Sequence, residues 1–147
     1  MPVSGGDELR DALTAMAARV RAVTPDAVED ATDVVKEVVY ESLVRLQHER
    51  GTPTPSMPGE PPAKISGDLA DSLTVVGPSE VSAGQFMTVM GPRTVYARIQ
   101  ELGGDAGRGH RSHLPERPYL RPATEAAVDD PAVREVFVRA WAAALRG

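Results

Sequence analysis

The chain has 147 residues, which is enough for one domain with a hydrophobic core. Hydrophobic residues make up 41% of it but aromatic residues only 4%, so the core must be built mainly from Val, Leu, Ala and Met. The net charge of −5 argues against a dedicated nucleic-acid binder, the lack of Cys excludes a disulfide framework, and no apolar run approaches the roughly 20 residues of a membrane span.

The N-terminal segment, residues 1–50, is predicted to form two helices. Over residues 7–23 apolar side chains recur at steps of three and four, as in an amphipathic helix: Leu9, Leu13, Met16, Val20 and Val23. Thr24 and Pro25 have the character of a helix start, as N-cap and first residue. The second helix is predicted over residues 25–50, and a strand over residues 34–40 is the alternative because that stretch is rich in valine.

The middle of the chain is predicted to be an arm followed by a sheet. Residues 51–65 contain five prolines, which excludes a helix or central strand and predicts an exposed, extended arm. The sheet region, residues 66–102, begins with a turn and a short helical piece. Strands are predicted at 73–77 and 81–90, with a turn at 77–80 and Gly84 at a bulge. Residues 95–102 fit a strand or a short helix.

Residues 103–121 are predicted to be a glycine- and arginine-rich loop followed by an extended segment. Pro118 and Pro122 restrict the residues before them, so Tyr119 and Leu120 should anchor a short extended stretch in the core. Its two arginines, Arg117 and Arg121, should project from one side of that stretch.

The C-terminal helix is predicted over residues 122–147, with Pro122 as its first helical residue. Asp130-Pro131 predicts a kink, or a restart with Asp130 as a new cap. Trp141 lies on the apolar stripe and is predicted to be core. The fold predicted from these elements is a single α+β domain, in which a small antiparallel sheet is packed by the long second helix and the C-terminal helix.

No catalytic, cofactor or metal site is predicted. His110 and His113 lie in a glycine-rich loop with no third ligand at a fixed spacing, which is weak for zinc. The loop also lacks the Gly-Lys-Ser/Thr ending of a phosphate loop. A small metal-dependent hydrolase or nuclease using these histidines and Glu101 is the alternative from another functional class.

Several segments together resemble a known family. Two of them are consecutive motifs, Pro58-Gly59-Glu60-Pro61-Pro62 and Ser66-Gly67-Asp68-Leu69-Ala70-Asp71-Ser72. Two more are Tyr96-Ala97 and Glu101-Leu102-Gly103, and the last is Arg117-Pro118-Tyr119-Leu120-Arg121-Pro122-Ala123. In order and spacing they resemble the signature of bacteriophage tail-completion proteins, the head–tail joining or neck proteins of long-tailed phages, with Leu102 where an aromatic residue is commoner.

The resemblance implies a virion structural protein without enzymatic activity, assembled in the host cytoplasm. Such proteins form a ring, usually six-fold, that completes the tail, joins it to the head and leaves a channel for DNA. The implied partners are further copies, neighbouring connector and tail-tube proteins, and DNA that passes without sequence-specific binding. A minor tail component outside the neck is the closer alternative.

Candidate interface residues come from the arm, the loop and the extended segment: Pro58, Gly59, Glu60, Pro61, Arg108, Arg111, Arg117, Tyr119 and Arg121. Neither the arm nor the loop has enough apolar side chains to offset its ordering cost of about 1–2 kcal/mol per residue. We therefore expect both to be mobile in the isolated chain and to be ordered by neighbouring subunits.

Overall fold

The structure, a computed structural model, describes residues 5–51 and 56–146. Its elements in chain order are α1 (Gly6–Val44), α2 (Asp68–Asp71), β1 (Leu73–Ser82), β2 (Gln85–Pro92), α3 (Ala97–Leu102), β3 (Gly104–Ala106), β4 (Ser112–Leu114), α4 (Leu120–Val128) and α5 (Pro131–Arg146). The strands form two antiparallel pairs, β1 with β2 and β3 with β4, and α5 packs against α1. The predicted α+β class is confirmed, with two small sheets in place of one.

α1 is one continuous helix of 39 residues, so the prediction of two N-terminal helices is wrong. Pro25 lies inside it, although proline removes one backbone hydrogen bond of a helix. The helix continues because α5 packs along this region, where Trp141 Nε1 donates a hydrogen bond to Thr24 Oγ1 at 3.1 Å. Thr24 is not an N-cap, since its hydroxyl donates to Val20 O at 2.7 Å. The strand alternative for residues 34–40 is also wrong.

α1 ends at Val44 rather than Arg50, because the next residues leave the helix to pair with the arm. Lys64 N donates to Leu46 O at 2.7 Å, and His48 N donates to Lys64 O at 3.1 Å. At its C-terminal end the arm, predicted to be exposed, is therefore paired through its backbone with the residues that follow α1. Residues 52–55, with two of its prolines, lie outside the described part of the chain.

β1 and β2 form a longer hairpin than predicted. The turn expected at residues 77–80 is an irregularity inside β1, where the register shifts between Val76 and Ser79. Gly77-Pro78 is typical of a turn, but a two-stranded sheet has only edge strands, and an edge strand tolerates the missing N–H of proline. The chain instead reverses at Gly84, the position predicted for a bulge.

A second hairpin occupies most of the stretch that was predicted to be a loop. β3 and β4 have three residues each, and Gly104 pairs with Leu114. Strands this short carry too few residues for an alternating pattern of apolar and polar side chains, so periodicity could not detect them. The residues before and after this hairpin lie very close together. A Cβ at Gly103, just before β3, would lie 2.7 Å from the backbone nitrogen of Glu116, just after β4.

Gly103→Ala is expected to destabilise the fold by about 2 kcal/mol or more, measured by denaturant unfolding. At Gly103 φ is 65°, and the added methyl group would meet backbone atoms that cannot rotate away. The matched control is Gly91→Ala, because nothing lies within 4 Å of a Cβ at that glycine, and φ there is not positive. The control should change stability by less than about 1 kcal/mol. Equal losses in the two variants would contradict the close approach at Gly103.

The C-terminal segment forms two helices rather than one. The restart at Asp130-Pro131 was one of the two predicted alternatives, and it is confirmed, since Asp130 Oδ1 accepts a hydrogen bond from Ala132 N at 2.8 Å. α4 begins at Leu120 rather than Pro122. The prediction of an extended stretch at residues 119–121 is therefore wrong beyond Tyr119.

Two buried clusters hold these elements together. One joins α1 to α2, β1 and the start of α4: Val39, Leu43, Ala70, Leu73, Tyr119 and Ala123. The other joins α1 to α5: Ala27, Ala31 and Val136. Trp141 is 40% exposed, so its prediction as a core residue is wrong. The apolar positions of α5 extend around more of the helix than α1 can cover.

Candidate functional site

The family-like segments meet where α3 abuts the start of α4. The carboxylate of Glu101, on α3, accepts three backbone hydrogen bonds there. Tyr119 N and Leu120 N donate to Oε2 at 2.8 and 2.9 Å, and Arg121 N donates to Oε1 at 2.9 Å. These amides have no partner within α4, and a negative charge also complements the positive end of a helix. Glu101 is therefore the N-terminal cap of α4, supplied from another helix.

Tyr119 fixes the same junction from inside. Its side chain is 1% exposed, and its hydroxyl donates to Ala97 O at 3.3 Å. Arg117 N donates to Gln100 O at 2.7 Å, so the backbone before α4 is also tied to α3. The predicted anchoring role of Tyr119 is confirmed, but a residue buried in this way is not part of the chain's own surface.

The alkaline stability of the fold should depend on Tyr119. Burial raises the pKa of its phenol, and the negative charge of Glu101 raises it further. The unfolded chain ionises this group near pH 10, so its contribution is complete below about pH 10 and is lost as the pH rises. We expect Tyr119→Phe to cost about 1 kcal/mol at pH 7 and to flatten the fall in unfolding free energy above pH 10. An unchanged slope in the variant would show that the phenol is solvated.

The arm contacts the same region from outside. Gly59 N donates to Glu116 O at 2.9 Å, and Arg117 Nη2 donates to Ser56 O at 3.4 Å. Pro62 is buried and Pro61 half-buried. The arm thus lies along the segment that leads into α4.

The Ser-Gly-x-Leu-x-x-Ser segment forms a tight turn into α2. Gly67 is buried with φ 95°, and a Cβ there would lie 3.2 Å from a carboxylate oxygen of Asp71. The Ser72 hydroxyl donates to Leu69 O at 3.0 Å and accepts from Arg93 N at 3.2 Å. This motif therefore links the residue before β1 to the residue after β2. Ser66, the first residue of the motif, is exposed.

The candidate interface residues are only partly brought together. Pro58, Gly59, Glu60 and Arg121 are exposed, and Arg117 is half-buried against the arm. Because residues 120 and 121 are helical, the expectation that extended geometry places Arg117 and Arg121 on one side is wrong. Capping by Glu101 starts the helix earlier than the proline pattern indicates.

The other two arginines of the candidate set, Arg108 and Arg111, lie exposed at the tip of the β3–β4 hairpin. His113 Nδ1 lies 3.0 Å from Asp105 Oδ1 across the same hairpin. In the part of the chain that the structure describes, no group of three or more His, Cys, Asp or Glu side chains could hold a metal ion. Glu101, the carboxylate suggested for the hydrolase alternative, is engaged by backbone amides instead.

One face of α1 is strongly acidic, which sequence reasoning did not identify. Its carboxylates follow one another at helical spacing and are all exposed: Asp26, Glu29, Asp30, Asp33, Glu37 and Glu41. Within residues 5–51 and 56–146 none of them forms an ion pair. α1 carries nine acidic and four basic residues, which equals the net charge of −5 for the whole chain. The i, i+3 and i+4 spacing of these acids would have revealed the face.

Besides single exposed apolar side chains such as Leu102, the described residues include three groups of them. Leu9 and Leu13 lie near the start of α1, and the other two groups are on the outer face of the β1–β2 sheet (Val76, Met87 and Val89) and on α5 (Val138, Trp141 and Leu145). An open groove of about 650 Å³ beside Tyr119 is largely apolar and is bordered by α1, the arm and α4. Exposed apolar patches of this kind often mark sites of protein–protein contact.

No helix in the described part of the chain is both long and apolar enough to cross a membrane. Comparison with protein-family models, with curated proteins and with solved structures returned no significant match.

Proposed function

We propose that this chain is a virion structural protein of the head–tail junction of a long-tailed phage, where copies form a ring that completes the tail and leaves a channel for DNA. The observation that carries the proposal is the meeting of the family-like segments at one junction. Three different motifs contribute to this junction. Glu101 accepts from Tyr119 N, and the Tyr119 hydroxyl donates to Ala97 O. From the arm, Gly59 N donates to Glu116 O, just before the last motif. Motifs that depend on one another for structure support a resemblance better than separate short matches do.

The charge distribution supports the same proposal. Six of the nine acidic residues of α1 lie together on one exposed face, and the chain outside α1 is neutral overall. If that face lines the channel, it repels the phosphate backbone and lets DNA pass without being held. The basic tip at Arg108 and Arg111 and the exposed Arg121 are then available for acidic surfaces of neighbouring subunits.

The test is made in the phage or prophage that encodes the chain. An early stop codon in this reading frame should give DNA-filled heads and tails that lack this ring and do not join, and purified chain should restore joining in the extract. Particles that join normally without the chain would overturn the proposal. A gold label along the tail shaft or at the fibres would favour the minor tail component instead.

A variant with Arg108, Arg111 and Arg121 all replaced by Ala tests the role of the basic residues. All three side chains are exposed, so the variant should unfold within about 1 kcal/mol of the wild type. It should nevertheless fail to restore joining. The matched control replaces Arg93, Arg98 and Arg134, which are also exposed, and should restore it.

A further inference from the structure

The start of α1 projects beyond the helix that covers the rest of it. α5 runs antiparallel to α1, because Trp141 bonds to Thr24 while Val136 packs with Ala27 and Ala31. At about 1.5 Å per residue, the five residues of α5 after Trp141 reach only to about the level of Arg19. Residues 6–18 of α1, here called the projection, therefore extend past the end of α5, and nearly all of them are exposed.

The projection carries an apolar stripe that has no partner among residues 5–51 and 56–146. Leu9 and Leu13 continue the helix face that, farther along, packs against α5 through Ala27 and Ala31, since residues at these spacings share one side of a helix. Leu9 is 62% exposed and Leu13 is 56% exposed. The helix face that packs on α5 thus continues into the projection, where no other described helix covers it.

The end of α5 has a second exposed apolar stripe, different from the first. Val138, Trp141 and Leu145 recur at steps of three and four along α5, and all three are exposed. Trp141 lies at the edge of this stripe next to α1, where its Nε1 bonds to Thr24. Beside the stripe lie Arg139 and Arg146, seven residues apart and so on the same flank of the helix.

The charges beside the two stripes are complementary. The projection has three acidic residues, Asp7, Glu8 and Asp11, against Arg10, which pairs with Asp7 and Asp11. Glu8 is left as an unpaired carboxylate beside Leu9 within the described chain. In contrast, residues 138–146 of α5 carry two arginines and no acidic residue. The projection and the end of α5 are therefore complementary in charge, and each also has an exposed apolar stripe.

We propose that the projection of one copy packs on the exposed stripe of α5 of a second copy, with Leu9 and Leu13 against Val138, Trp141 and Leu145, and Glu8 beside Arg139 and Arg146. The two surfaces differ, so each copy offers both and the contact is head-to-tail. Contacts of this kind close into rings when the rotation between copies permits. The ring arrangement rests on the proposed function, whereas contact between two copies can be measured on the purified chain alone.

The experiment measures self-association of the purified chain by sedimentation velocity and by emission of Trp141, the only Trp of the chain. Rising concentration should produce oligomers and shift the emission to shorter wavelength, because the indole leaves water. Leu9→Gln with Leu13→Gln should weaken association about tenfold or more and abolish the shift. Leu102→Gln is the matched control, because Leu102 is 60% exposed but lies on α3; it should leave both unchanged.

A charge exchange tests the pairing itself. Glu8→Arg should weaken association, as should Arg139→Glu with Arg146→Glu, and combining the three changes should restore it. A chain that stays monomeric at all concentrations overturns the inference. Association that ignores the leucine and charge variants also overturns it, although a ring formed through other surfaces would still fit the proposed function. Head–tail joining, measured in extracts, reports on that function separately.

Discussion

Glu101→Ala is expected to destabilise the fold by about 3 kcal/mol, one of the largest losses for any single polar residue in this chain. Its carboxylate accepts from Tyr119 N, Leu120 N and Arg121 N, and hydrogen bonds to an ionised acceptor contribute more than neutral ones. Removing it leaves the first amides of α4 without an acceptor beside a fully buried tyrosine. Denaturant unfolding measures the loss, and helix content should decrease in the same variant.

Two controls separate capping from charge. Glu101→Gln keeps the shape but has one acceptor oxygen in place of two, so it should lose about 1–2 kcal/mol. Glu125→Ala removes an exposed carboxylate from α4 itself and should change stability by less than about 0.5 kcal/mol. If Glu101→Ala were no worse than Glu125→Ala, the cap would not contribute to stability.

Tyr119→Ala is expected to cost about 4 kcal/mol, and Trp141→Ala clearly less, about 1–2 kcal/mol. Truncating Tyr119 leaves a cavity among α1, α2 and α4, because the ring is 1% exposed and packs in the main buried cluster. Trp141 is 40% exposed and gives up one hydrogen bond to Thr24 and the packing of its ring on Phe137. Parallel urea titrations of the two variants test the order. The reverse order would show that α5 is more deeply packed than described.

The elements that depend on local chemistry were predicted well from the sequence. The restart at Asp130-Pro131 follows from Asp130, which caps a helix, and from Pro131, which cannot continue the helix before it. The short helix α2 was predicted from the turn residues that precede it. Tyr119 was identified as an anchor because two prolines fix the chain around it. For the restart and for α2 the deciding residues are neighbours in sequence, whereas Tyr119 also depends on its contacts with Ala97 and Glu101 on α3.

The predictions failed where the deciding contact comes from a distant segment. Pro25 was assigned to a helix start, but α5, more than 100 residues later in the sequence, packs along that part of α1 and supports a continuous helix. The start of α4 was misplaced because its cap is Glu101 rather than a neighbouring side chain. The β3–β4 hairpin consists mainly of backbone pairing, which side-chain patterns do not report. For the candidate site, the motif residues were identified, but not their joint attachment to α3.

The length of α1 has a hydrodynamic consequence. Its 39 residues span about 58 Å, whereas a compact chain of this size would have a radius of gyration of about 15 Å and a diameter near 40 Å. The monomer must therefore be elongated along α1. Its scattering should give a radius of gyration above about 15 Å, and its end-over-end rotation should be slower than its rotation about the helix axis. Time-resolved anisotropy of Trp141 would then contain two rotational correlation times rather than the single one of a sphere.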